Sequence, residues 1–165
     1  MKTKPVVAII MGSDSDLAAM GEAVKVFSDN KIAYTVKILS AHRSPEDTAK
    51  IARNARKVGF KVIIAGAGGA AHLAGVVASL TTLPVIGVPM ETKELKGIDS
   101  LFSIVQMPSG IPVATVTIGK TGARNAAILA MQILSISDKR VEKSLDAIKR
   151  SLVEGVRKKN SGLKL

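Results

Sequence analysis

The feature that most constrains this chain is its alternation of short, wholly apolar runs with stretches of helical period. Residues 6–11 (VVAIIM) carry no polar alternation, which implies a strand buried on both faces. Residues 14–30 then have the period of a helix, and 32–39 that of a second strand. Ser44 opens the next helix as N-cap, with Pro45 in the first helical position and Glu46 and Asp47 behind it; Gly59 closes it. Strands are expected at 61–65, 83–89 and 113–119, with a helix ending near Leu80 and a short one within 96–110. Residues 121–136 are rich in Ala and Leu and helical. Val141, Leu145, Ile148, Leu152 and Val156 then recur at three-to-four spacing, giving a basic amphipathic helix from about 138 that frays over 158–165.

Strand–helix alternation along the whole chain predicts an α/β fold: a three-layer αβα arrangement around a central parallel sheet of about five strands, flavodoxin-like in order. At 165 residues the chain is read as a single domain, 1–165. In such sheets ligands bind outside the carboxyl ends of the strands, where the strand order reverses. The loops MGSDSD, SAHRSP and GAGGAAH follow the first, second and third strands. If those strands are neighbours, the three loops meet.

Composition excludes several classes. There is no cysteine, hence no disulfide framework and no thiolate chemistry. The net charge of +11 raises the question of nucleic acid, but the chain has one Tyr, three Phe and no Trp, so single strands find no stacking platform. Nine basic residues against four acidic ones place +5 of that charge in 138–165. A solvated basic surface or an anionic small substrate is favoured over nucleic acid. The N-terminal apolar run is too short for a signal peptide, and no stretch approaches the roughly 20 apolar residues of a membrane span. These features point to a cytoplasmic protein with no membrane partner.

GSDSD supplies Ser13, Ser15 and Asp16 at a helix start, suited to an anion or simply to capping. GAGGAA places Gly66, Gly68 and Ala71 in a dinucleotide-like spacing, but 84–89 (PVIGVP) lacks the acid that would hold a ribose, which argues against a nicotinamide site. His72 ends that loop, as a capping, packing or functional residue. SAHR couples the titratable His42 to the permanent charge of Arg43, a residue suited to phosphate or carboxylate. Two histidines without a clear carboxylate partner make a poor ligand set, so no metal is expected.

Taken together, MGSDSD, SAHRSP, AGAGGAAHLAGVVAS, LPVIGVP and GIDSLFSIVQMPSGIPVATVTIG resemble the N5-carboxyaminoimidazole ribonucleotide mutase family of purine biosynthesis, over roughly residues 6–137. That resemblance implies isomerisation of N5-carboxyaminoimidazole ribonucleotide to the 4-carboxy product by loss and recapture of carbon dioxide, with no cofactor. It implies His42 as general acid/base, and Ser13, Asp16 and Arg43 as binders of the phosphorylated ribonucleotide. Ser15, Ser40, Gly68 and His72 would line the site. A second branch carboxylates aminoimidazole ribonucleotide directly and typically carries SAHK and AGRSN; SAHR and AGAGGAAHL resemble the mutase branch. The family's octamer implies a homo-oligomer. A direct carboxylase and a non-catalytic nucleotide- or flavin-binding module remain the alternatives.

Overall fold

A computed structural model describes residues 4–163. Two compact units divide the chain, Met1–Ala130 and Met131–Leu165.

The first unit holds the sheet. Its strands are β1 (Val7–Met11), β2 (Tyr34–Ile38), β3 (Val62–Ala67), β4 (Val85–Pro89) and β5 (Ala114–Thr115), all parallel, in the order β2-β1-β3-β4-β5. This is the expected flavodoxin-like order, and it makes β2, β1 and β3 neighbours with the switch point between β1 and β3. The helices are α1 (Leu17–Asp29), α2 (Pro45–Val58), α3 (Leu73–Leu80), α4 (Ile98–Val105) and α5 (Gly119–Ser135), the last crossing the unit boundary. Every residue of β1, β3 and β4 is buried, as their unbroken apolar runs require.

Packing follows the two-residue period of the strands. Ala8 and Ile10 of β1 and Ile63, Ala65 and Ala67 of β3 meet Ala52 and Ala55 of α2, Leu73, Ala74 and Val77 of α3, and Ile104 of α4. The opposite face takes α1, whose Met20 and Phe27 are fully buried. Gly66 lies on that face, and a Cβ there would stand 2.7 Å from the Met20 sulfur and 2.9 Å from the Met90 methyl. A side chain at position 66 would therefore displace Met20 or Met90.

The chain departs from expectation at several ends. Asp14–Asp16 forms a 3-10 turn before α1 rather than its first α-helical turn. The second strand is confined to Tyr34–Ile38, and β5 has only two residues. Val116 still donates to the Gly87 carbonyl (3.1 Å), but the chain then leaves the sheet for α5, which starts at Gly119.

The second unit contains the end of α5 and α6 (Lys139–Ser161). The Asp138 carboxylate caps α6 by accepting from the Arg140 N–H (2.9 Å). The helix continues through residues 158–161, which were expected to fray; residues 164 and 165 lie outside those described.

Candidate active site

The carboxyl end of β1 leads into Gly12 and the turn of Ser13, whose hydroxyl caps the turn by accepting from the Ser15 N–H (3.3 Å) and donates to Asp14 (3.0 Å). The Ser15 hydroxyl donates to Asp16 at 3.4 Å. Burial pushes the Asp16 carboxyl above the ordinary carboxylate value and the Asp14 charge adds to the effect, against hydrogen bonds from Ser13 and Ser15 that lower it.

The SAHR turn after β2 is held by its own serines. Ser44 is indeed the residue before α2, but its hydroxyl makes no capping bond. It turns back instead to Ser40, accepting from that residue's N–H (3.0 Å) and donating to its carbonyl (3.2 Å). The fully buried Thr48 adds a bond to the same carbonyl at 3.3 Å. The N-cap residue thus braces the loop rather than the helix, because the Ser40 N–H in the turn itself takes the lone pair that would cap α2.

This brace presents Arg43 and His42. The Ser40 hydroxyl accepts from the Arg43 backbone N–H (3.1 Å) and from its Nε (3.4 Å), while Nη2 donates to the Gly12 carbonyl at 2.7 Å. Arg43 therefore ties the second loop to the first. A guanidinium carries five N–H donors, so others are left for an anion. His42 reaches the third loop: its Nε2 lies 2.7 Å from Nδ1 of His72, the rings perpendicular at 85°. His72 precedes α3 but its side chain makes no capping bond, which frees the ring for this contact. One nitrogen of the pair must donate and the other accept, so the tautomers of the two rings are linked.

The loop before His72 is shaped by two residues of positive φ, Gly69 (67°) and Ala71 (41°), closed by the Ala71 N–H on the Gly68 carbonyl (3.2 Å). Gly69 is gripped at both backbone groups by α4. Its N–H donates to the Ser100 hydroxyl (3.0 Å), and its carbonyl accepts from Ser103 (3.2 Å).

All eight residues singled out in the sequence border one cavity of about 440 Å³: Ser13, Ser15 and Asp16 from the first loop, Ser40, His42 and Arg43 from the second, Gly68 and His72 from the third. Cavities of this size take small organic ligands. Sequence reasoning missed Ala67, Leu73, Met90 and Glu91, which also line it. Met90 and Glu91 directly follow β4, so the rule that ligands sit at strand carboxyl ends was signal enough to find them. Ala67, Ala71, Leu73 and Met90 are buried and make part of the wall apolar. Among the described residues no group of three or more His, Cys, Asp or Glu side chains is placed to hold a metal ion, and no helix is long and apolar enough to cross a membrane.

The profile of the family described as AIR carboxylase matches residues 6–154. The chain belongs to that family. It is 60% identical over 141 residues to the N5-carboxyaminoimidazole ribonucleotide mutase of Pyrococcus abyssi, covering 86% of this chain and 80% of the relative. With the mutase of Bacillus subtilis it shares 55% over 143 residues, 87% of this chain and 88% of the relative. The crystal structure of Treponema denticola PurE superposes with a TM-score of 0.88 at 30% identity, covering 98% and 99% of the two chains. The family match spans every residue of the cavity, so the three loops are shared family territory and not an addition to the fold.

Proposed function

We propose that this chain is an isomerase of purine biosynthesis, converting N5-carboxyaminoimidazole ribonucleotide to 4-carboxy-5-aminoimidazole ribonucleotide with His42 as general acid/base. The observation that supports the proposal is that one cavity is lined both by Arg43 with the Ser13 turn, groups suited to an anion, and by an imidazole pair at 2.7 Å beside an apolar wall.

Arg43 and Ser13 hold the phosphate, and Asp16 accepts from the ribose hydroxyls. Ser40 sets the Arg43 side chain, and Ser15, Gly68 and His72 border the substrate. The N5–carboxyl bond breaks to release carbon dioxide, and His42 gives a proton to N5. The base shifts, and C4 of the electron-rich ring attacks the trapped gas to form the new carbon–carbon bond. His42 then takes the C4 proton, so no net proton is consumed. The wall of Ala67, Ala71, Leu73 and Met90 offers the gas no hydrogen-bonding competitor and keeps water from the reacting carbon. No cofactor enters this scheme.

The substrate is a phosphorylated metabolite that membranes retain, which supports a cytoplasmic setting. Self-association, to the octamer that the resemblance implies, belongs to the same proposal. Leu95, Ile98, Phe102 and Val105, each about half exposed on or beside α4, support it. The match through residue 154 supports reading 1–165 as one catalytic domain.

The test is a steady-state assay with two substrates, N5-carboxyaminoimidazole ribonucleotide without ATP, and aminoimidazole ribonucleotide with bicarbonate. Turnover of the first supports the isomerase. Turnover of the second alone, at low carbon dioxide, makes the chain a direct carboxylase instead.

A further inference from the structure

Ser100 touches none of the cavity, yet it is fully buried and bonded on both sides. Its oxygen accepts from the Gly69 N–H at 3.0 Å, and its hydroxyl donates to the Met90 carbonyl at 2.8 Å. One side chain thus joins the glycine loop of β3 to the carboxyl end of β4, two segments that both line the cavity. Ser103, one turn along α4, bonds the other backbone group of Gly69. The start of α4 is itself anchored to the residues after β4: Thr92 donates to Asp99 (2.8 Å) and accepts from the Gly97 N–H (3.1 Å).

The loop that carries His72 bends through positive φ at Gly69, a conformation glycine adopts freely, and helix α4 holds that residue at both its N–H and its carbonyl, fixing the two peptides that flank it. We propose that Ser100, supported by Ser103, is a positioning residue that sets the 68–72 loop and through it the contact of His72 with His42. The proposal rests on the isomerase reading for its kinetic consequence. Arg43, Ser13 and Asp16 stand on other loops, so substrate anchoring is independent of Ser100. Its removal moves the reacting end and leaves the anchored end in place.

The experiment compares Ser100→Ala, His72→Asn and the double variant with wild type, in turnover of N5-carboxyaminoimidazole ribonucleotide and in amide exchange at Gly69. Ser100→Ala is expected to lower kcat about 10- to 100-fold, the cost of a displacement near an ångström, with KM within about twofold. Placed on His72→Asn, it is expected to cost about twofold or less, because the two act through one contact. Exchange at Gly69 should accelerate. An unchanged kcat, a rise in KM alone, or fully additive losses would overturn the proposal, since a merely structural role gives those results. Should Ser100→Ala not fold, Ser103→Ala carries the test, with a smaller kcat loss expected and an unchanged kcat refuting. Failure of wild type to turn over this substrate sinks the isomerase reading alone; Gly69 exchange still decides the brace, unaltered exchange counting against it.

Discussion

Replacing Arg43 by Ala separates two jobs that one side chain performs. Its Nη2 bond to the Gly12 carbonyl (2.7 Å) joins the first and second loops, and in the proposed function its remaining donors hold the substrate phosphate. A hydrogen bond with a charged partner contributes about 1.5–3 kcal/mol. At 1.4 kcal/mol per factor of ten, losing one such contact weakens binding about 10- to 150-fold. Because Arg43 is solvent-exposed, screening places the expected loss near the lower end, about tenfold. The lost tether, also a bond from a charged group on an exposed side chain, costs about 1.5 kcal/mol of stability, which for a chain of this size lowers Tm by about 3–6 °C. Calorimetric titration with aminoimidazole ribonucleotide and with its dephosphorylated riboside checks the assignment. Wild type should prefer the ribonucleotide, and Arg43→Ala should lose most of that preference while binding the riboside as before. A variant that discriminates between the two as wild type does would place the phosphate elsewhere and refute the reasoning.

His42→Asn is expected to keep ribonucleotide affinity within a few-fold while kcat falls about 10²- to 10⁴-fold; single-turnover kinetics would check this, and near-normal turnover would transfer the proton to His72. Burial raises the Asp16 carboxyl in the folded state, so the folded chain holds that proton more tightly than the unfolded one. Stability therefore falls as pH rises from the ordinary carboxylate value through the raised one, and Asp16→Asn should abolish this slope in denaturant titrations across that window. With the Asp16 carboxylate accepting from the ribose as proposed, wild-type affinity should drop on acidification through the same range; an affinity flat across it would remove Asp16 from the ribose. Gly66→Ala forces a methyl to within 2.7 Å of the Met20 sulfur and should cost about 1–3 kcal/mol in thermal unfolding, with a neutral result showing that the methionines yield freely.

The elements of this fold were legible because their signals are local. Unbroken apolar runs announced β1, β3 and β4, and Pro45 with Gly59 bracketed α2 to the residue. The meeting of the three loops was readable too, since loops after neighbouring parallel strands lie at one edge of the sheet, and all eight candidates border one cavity there. What could not be read was how those side chains are spent. Ser44 carries every mark of a helix cap and braces Ser40 instead; Met90 and Glu91 were missed although they follow a strand, where ligand-lining residues belong. Ser100 looked like any polar residue of a short helix. The deciding contacts are His42 with His72, Arg43 with Gly12 and Ser100 with Gly69, each joining residues 30 or 31 positions apart. Periodicity and capping reach only a few residues along the chain, so they determine strands, helices and turns. The order β2-β1-β3-β4 determines which turns meet, and hydrogen-bond geometry of a few tenths of an ångström, which no local pattern encodes, decides what they do there.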